Sequence, residues 1–215
     1  MSQILRILLV TVISSLGTGN AMATEEAKYA VMLKEEPFEL RAYEAHILAE
    51  TIVDGDFDDA GSQAFRRLFK YISGDNQSQE KVSMTSPVGQ TAANQKIAMT
   101  SPVGQKQENG KWVVSFMMPA SFTLQTIPQP NDPTVVLRQV PARYMAAVRY
   151  SGFWSQKAYL RNKSELQKWI KVKGLRSTGE PTWARYNPPF TPWFLRRNEI
   201  LFPIEEPVRN DGPAE

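Results

Sequence analysis

The 215-residue chain is 42% hydrophobic and carries 25 Lys+Arg against 22 Asp+Glu, with one histidine and no cysteine. This length is typical of a single domain that buries a substantial core. The lack of cysteine excludes disulfides, thiolate metal sites and cysteine nucleophiles, and a lone histidine argues against zinc sites and Ser-His-Asp hydrolases. The nearly balanced charge favours no nucleic-acid partner.

The N-terminus predicts an export signal. Arg6 precedes an apolar run over residues 7–16, and small residues follow up to Ala21-Met22-Ala23. These are the three parts of a secretory signal peptide. A membrane anchor is the alternative, but an apolar run of about ten residues falls short of the ~20 that span a bilayer. We expect a signal peptide over residues 1–23 and an exported protein, periplasmic or secreted, with no stable membrane insertion after cleavage.

The first predicted helix begins at Asp58 and Asp59, which are N-cap candidates, and runs to about Ile72. Its apolar residues recur at helical spacing, with basic residues between them. Gly74 is expected at the C′ position, where helices commonly end. Residues 38–53, which precede this helix, alternate loosely between apolar and polar side chains and predict strand.

Further strands follow the first helix. Asn109-Gly110 is a strong hairpin signal, and it introduces a strand over residues 111–118. The remaining strand candidates cover residues 135–140, 143–150, 182–186 and 199–204. The tail over residues 207–215 is rich in Pro, Asp and Gly and is predicted to be disordered.

The second predicted helix begins at Ser155 and ends just before Gly174. Its apolar side chains again recur at helical spacing. Ser164 and Gln167 have the spacing of an internal capping box, which predicts a break near Asn162.

The order of the elements indicates a duplication. Residues 46–57 lead from a strand into the first helix, and residues 144–154 lead into the second helix in the same way. Two strands follow each helix. We therefore predict an α+β fold in which duplicated β-α-β-β halves form a distorted, barrel-like antiparallel sheet flanked by two helices. Grooves beside the helices are natural ligand sites.

A tighter repeat lies inside the first half. The sequence Lys-Val-Ser-Met-Thr-Ser-Pro-Val-Gly-Gln at 81–90 recurs, with two changes, at 96–105. It is either a local duplication that lengthened a loop, or a functional repeat in which Met and Val of both copies contribute to one apolar surface. Only one copy needs to form the strand that the other half predicts.

One segment near the C-terminus is unusually apolar for a loop. Its three prolines and its large apolar side chains are Pro188, Pro189, Pro192, Phe190, Trp193, Phe194 and Leu195. The prolines argue against a helix or a central strand, and a surface loop would leave the aromatic rings in water. The segment is therefore either a lid that folds onto the core or an apolar platform for a partner.

Arg196 and Arg197 follow these aromatic residues directly. Haem combines a flat apolar ring with two propionates, and guanidinium groups bind carboxylates well. The pattern therefore favours haem, although an ordinary amphipathic loop end has the same order. Haem iron is usually held by His, Met, Cys or Tyr. His46 is a weak candidate, because a lone histidine in a strand is more often structural, so we expect haem without a strong axial ligand.

Several of these segments together resemble the SOUL family of haem-binding proteins, in its bacterial exported form. The motifs are Phe-Glu-Leu-Arg-Ala-Tyr at 38–43, the helix 65–72, Lys-Ile-Ala-Met-Thr-Ser-Pro-Val at 96–103, Phe-Met-Met-Pro at 116–119, Arg-Tyr-Asn-Pro-Pro-Phe at 185–190 and the stretch 195–203. The resemblance implies one domain over residues 24–206. Some members carry a histidine just before the tyrosine of the first motif; here that residue is Ala42.

The resemblance also implies a site: a shallow apolar groove between the first helix and the loop joining the last two strands. The residues assigned to the ligand are Phe65, Leu68, Phe69, Ile72, Tyr186, Pro188, Pro189, Phe190, Trp193, Phe194, Arg196 and Arg197. The implied function is non-catalytic binding of haem or a related tetrapyrrole. There are two alternatives: a GyrI-like module that binds another small amphipathic ligand, and an enzyme that modifies a tetrapyrrole.

Overall fold

The computed structural model describes residues 24–79 and 94–207. The strands are β1 (Tyr29–Glu35), β2 (Phe38–Tyr43), β3 (His46–Val53), β4 (Asn76–Gln77), β5 (Val103–Glu108), β6 (Lys111–Met117), β7 (Gln129–Pro130), β8 (Val135–Val140), β9 (Arg143–Tyr150), β10 (Thr182–Arg185) and β11 (Asn198–Ile204). The α-helices are α1 (Phe57–Ile72) and α2 (Gln156–Val172), and a short 3₁₀ helix covers Trp193–Leu195, within the segment whose prolines argued against a helix. The predicted signal peptide, the first repeat copy at 81–90 and residues 208–215 of the predicted tail lie outside the described residues.

Helix α1 begins earlier than predicted. The Oδ1 atom of Asp56 accepts a hydrogen bond from the Asp59 N–H at 3.0 Å, so Asp56 is the N-cap. Asp58 and Asp59 lie inside the first turn instead, because Phe57 already belongs to the helix. The predicted end is confirmed. Gly74 has a φ of 120°, a conformation that glycine adopts readily at the C′ position.

Helix α2 is continuous, so the predicted break near Asn162 is wrong. Ser155 is the N-cap as predicted, and its side chain accepts from the Ala158 N–H at 3.2 Å. Asn162 stays helical because its side-chain amide donates back to the Ala158 carbonyl at 2.8 Å. Ser164 therefore has no helix start to cap. Gly174, with a φ of 66°, ends the helix.

Among the described residues, nine strands form one antiparallel sheet in the order β1-β2-β9-β11-β10-β5-β6-β3-β8. The duplication is confirmed: β3-α1-β5-β6 and β9-α2-β10-β11 are equivalent halves, and β10 pairs with β5 to join them. The preceding strand of each half pairs with the other half, since β2 pairs with β9 and β8 pairs with β3. The predicted fold class, a curled antiparallel sheet with two helices, is therefore confirmed.

This pairing of strands across the two halves explains why the predicted strand 38–53 is two strands. The chain turns at Glu44 and Ala45, after which β2 and β3 pair with different neighbours. Strand β1 was not predicted. In the part of the chain that the structure describes, it is an edge strand whose sole partner in the sheet is β2. Most of its side chains are exposed, so it has no alternating apolar pattern.

Both helices pack on one face of the sheet. Ala60, Ala64 and Leu68 of α1 contact strands of the first half, in a cluster with Ala49, Val114 and Phe116. Leu166, Trp169 and Ile170 of α2 contact strands of the second half in the same way. Because side chains alternate along a strand, the intervening residues face the opposite side of the sheet. The structure therefore has a helix face and an open face.

Candidate functional site: an aromatic loop and an open-face cavity

The loop between β10 and β11 is held in shape by its own hydrogen bonds. Tyr186 N–H donates to the Arg197 carbonyl at 3.2 Å, and Arg197 N–H donates to Asn187 Oδ1 at 2.6 Å, which closes the neck of the loop. The Arg196 guanidinium donates from Nε to the Thr191 carbonyl at 2.8 Å and from Nη2 to the Pro189 carbonyl at 2.7 Å. These bonds and the prolines make the loop a rigid support.

The large apolar side chains of this loop lie in solvent. Phe190 is 86% exposed, Phe194 58% and Trp193 49%. Phe153, which precedes α2, stacks on Trp193 with ring centroids 5.3 Å apart, and Phe194 meets Trp193 edge-on at 5.5 Å. The interpretation of the loop as a lid on the core is therefore wrong. We call the exposed set Phe153, Phe190, Trp193, Phe194 and Leu195 the aromatic surface.

The helix residues assigned to the ligand fall into two groups. Phe69 is 47% exposed and stacks on Phe65, which is half-buried, at 5.8 Å. Leu68 is 0% exposed and Ile72 is 4% exposed, because both face the core beneath the helix. Leu68 and Ile72 therefore offer no surface to a ligand, and their assignment is corrected.

The aromatic loop approaches α1 through three side chains. A Cβ added at Gly61 would lie 3.4 Å from Arg185 Nη2, so the glycine lets this guanidinium approach the helix closely. The Arg185 Cζ atom lies 5.4 Å from the centroid of the Trp154 ring, and the Arg196 Cζ atom lies 4.5 Å from the same centroid. Trp154 therefore has two guanidinium groups within cation–π distance, one next to the helix and one on the loop.

Tyr186 and Arg197 belong to the open face rather than to the aromatic surface. The Arg197 Nε atom donates to Glu199 Oε1 at 2.9 Å, and its Nη1 contacts Glu26 Oε2 at 2.9 Å. The Tyr186 hydroxyl donates to Glu199 Oε2 at 2.8 Å. Arg197 already pairs with two carboxylates, so its assignment to the propionates of a ligand is corrected.

Glu199 is the centre of this polar cluster and is fully buried. Arg41 Nη1 donates to its Oε2 at 2.7 Å and Arg41 Nη2 to its Oε1 at 3.1 Å. Burial raises the pKa of Glu199, but the hydrogen bonds from Arg41 and the charges of Arg41 and Arg197 lower it more, so its net pKa lies below the ordinary value. Glu199 is therefore a buried carboxylate whose partners are already supplied by the fold.

A cavity of about 280 Å³ opens on the same face. Its apolar wall includes Leu48, Met117, Met145 and Leu201, which come from four different strands. Its ionisable wall includes Glu50, Arg138, Arg143 and His46. Sequence reasoning missed this cavity. The available signal was in β3, where His46, Leu48 and Glu50 occupy alternate positions and therefore share one face of the sheet.

His46 lines this cavity, on the face opposite α1. Its Nδ1 atom lies 2.9 Å from the Glu44 carbonyl, and burial lowers its pKa below the ordinary value. Residues 24–79 and 94–207 contain no group of three His, Asp or Glu side chains placed to hold a metal ion. Within the same residues, no helix is both long and apolar enough to cross a membrane.

The fold defines a class, the duplicated α+β domain with a curled sheet, and comparison with known proteins places the chain within it. The sequence profile of the SOUL heme-binding protein family matches residues 24–203. The chain belongs to the SOUL heme-binding protein family. It is similar to heme-binding protein 1 of Xenopus tropicalis, 29% identical over 77% of this chain and 82% of that protein, and to that of Xenopus laevis, at 25% over the same shares.

Solved structures share the fold at low sequence identity. A hydrolase from Listeria innocua superposes with a TM-score of 0.54 at 12% identity, covering 81% of this chain and 94% of that one. The C-terminal domain of EcmrR superposes with a TM-score of 0.51 at 14% identity, covering 82% and 98%. These similarities concern the fold alone.

Proposed function

We propose that this protein binds haem or a related tetrapyrrole non-catalytically on the aromatic surface, for scavenging, buffering or transport. The observation that carries the proposal is a rigid loop that holds large aromatic side chains in water. Exposed apolar area is unfavourable by about 25 cal/mol per Å², and contiguous patches of it mark binding sites. A support that is already ordered loses little entropy when a ligand binds.

The shape and chemistry of the surface fit a flat ring. Phe190, Trp193 and Phe194 offer aromatic faces and edges, and Phe153 fixes the orientation of Trp193 by stacking behind it. Membership of the SOUL family and the names of the Xenopus relatives support a tetrapyrrole as the ligand. We propose that burial of the ring supplies most of the affinity.

The polar residues fit haem less completely. On the loop, Arg196 is the cation that can pair with a haem propionate, although two of its nitrogen atoms already donate to loop carbonyls. His46 is on the open face of the sheet, so it is not placed to ligate iron in a haem on the aromatic surface. We therefore propose that haem binds without histidine ligation.

Titration of the purified protein with haemin, followed by the Soret band, tests this proposal. We expect a broad Soret shift, weakened when Trp193 and Phe194 are both replaced by alanine. Val136→Ala is the matched control, because Val136 is also an exposed apolar residue but lies on β8 at the far edge of the sheet. Equal affinity for the double variant and the control would exclude the aromatic surface as the site.

The position of His46 gives a second readout. If no histidine ligates the iron, His46→Gln leaves the haemin spectrum of both iron redox states unchanged. Sharp low-spin bands that disappear in the His46→Gln variant would instead place the haem iron on the open face and contradict the proposed site.

A further inference from the structure

The open-face cavity has an apolar wall that a ligand can cover. Leu48 on β3, Met117 on β6, Met145 on β9 and Leu201 on β11 all line it. These strands come from both halves of the duplicated domain, so the cavity lies across the junction of the halves. Concave sites that combine apolar walls with a few polar groups are typical of small-molecule binding.

The carboxylates in the wall already have cationic partners among the described residues. Glu50 accepts two bonds of 2.7 Å from Arg138, and Glu26 contacts Arg197 at 2.9 Å. Glu108 contacts Lys106 at 2.8 Å, and Glu180 contacts Lys163 at 3.8 Å. A cationic ligand would have to compete with these side chains for each carboxylate, which disfavours cations.

Arg143 differs from the other cations in the wall. It is half-buried, its Nε atom is buried without a hydrogen-bond partner, and it forms no ion pair with any residue in the described part of the chain. Burial lowers its pKa, and the nearby charge of Arg138 lowers it further, while Glu50 and Tyr43 act in the opposite direction. A buried donor without a partner is costly, so an acceptor in the cavity would stabilise it.

The register of the sheet holds Arg143 in place. Arg143 is the first residue of β9 and lies opposite Tyr43 of β2, two positions before Met145 on the same face. Met145 and Arg143 therefore present an apolar side chain and a guanidinium to the same cavity. This arrangement matches a ligand with an apolar body and one anionic end.

We propose that the open-face cavity binds a small amphipathic carboxylate, with its apolar body against Met117, Met145 and Leu201 and its carboxylate paired with Arg143. This site is separate from the aromatic surface and does not depend on haem binding. In the neighbouring cluster both cations are already paired, Arg41 with Glu39 and Glu199 and Arg197 with Glu26 and Glu199, so the ligand charge is selected by Arg143.

Calorimetric titration with three ligands of equal chain length tests the choice of charge. Octanoate, 1-octanol and octylammonium differ only in their head groups. We expect octanoate to bind at least tenfold more tightly than either of the others. The proposal is overturned if octylammonium binds as tightly as octanoate, or if octanoate does not bind.

A pair of variants tests the residue. Arg143→Gln is expected to weaken octanoate binding at least tenfold, because a charge-assisted hydrogen bond is lost. Arg143→Lys, which keeps the charge, is expected to retain most of the affinity. Unchanged binding in Arg143→Gln overturns the assignment. Circular dichroism of each variant confirms that it is folded.

A measurement on the unaltered protein locates the ligand even if the variants fail to fold. With methyl-labelled methionine, octanoate should shift the NMR signals of Met117 and Met145, assigned by single Met→Leu replacements. Met32, an exposed residue on edge strand β1, serves as the control signal. Shifts at Met32 that equal those at Met117 and Met145 would indicate non-specific binding and refute the site.

Discussion

Replacing Glu199 with glutamine should destabilise the fold more strongly than the small change in side-chain size suggests. The side chain keeps its shape but loses its charge, and Arg41, itself only 2% exposed, loses its fully buried partner and keeps only the ion pair with Glu39 at 2.7 Å. Removing one partner of a buried ion pair costs about 3–5 kcal/mol. Because each kcal/mol shifts the melting temperature of a protein of this size by roughly 2–4 °C, we expect a decrease of about 6–20 °C.

The control is the same substitution at a more exposed ion pair. Glu50 accepts two hydrogen bonds of 2.7 Å from Arg138, whose side chain is 42% exposed, so Glu50→Gln should cost only about 1 kcal/mol. Urea unfolding at neutral pH measures the free energy of unfolding of both variants. If Glu199→Gln loses no more stability than Glu50→Gln, the buried cluster does not stabilise the fold as argued.

Three further predictions concern single side chains. Trp193→Ala should weaken haemin binding about tenfold in the Soret titration, since a flat ligand that covers roughly 60 Å² of this half-exposed side chain gains about 25 cal/mol per Å²; a loss below twofold would contradict the proposed contact. Leu68→Ala should lower the free energy of unfolding by about 2–5 kcal/mol in urea, because the residue is fully buried, and a loss under 1 kcal/mol would contradict its place in the core. The lowered pKa of His46 means that the unfolded chain binds a proton more readily, so stability is fully present above about pH 6.5 and falls as the pH decreases toward the folded-state pKa. His46→Gln should remove this slope below about pH 6.5 in unfolding titrations, and an unchanged slope would refute its assignment to His46.

Local signals in the sequence determined the helices and the main turns. Ser155 and Gly174 bound α2, and Gly74 ends α1, because caps depend on residues within one turn of the helix end. Asn109 and Gly110 both have positive φ, of 50° and 77°, in the predicted hairpin. These features need no distant partner, which is why the sequence alone predicts them.

The apolar character of the C-terminal loop was also determined locally, but its exposure was not. The prolines predict an irregular segment, and only the packing decides whether its rings lie on the core or in solvent. Trp193 lies against Phe153 rather than in the core. The sequence could therefore identify the segment while leaving lid and platform as alternatives.

Tertiary structure alone decided how neighbouring residues divide between sites. Arg196 and Arg197 are adjacent in sequence, yet Arg196 supports the aromatic loop and Arg197 joins the buried Glu199 cluster on the open face, because successive side chains of extended backbone point in opposite directions. The cavity draws its apolar wall from β3, β6, β9 and β11, and Arg143 on β9 lies opposite β2, a strand about 100 residues away in sequence. Such contacts depend on non-local register, which local sequence patterns do not encode.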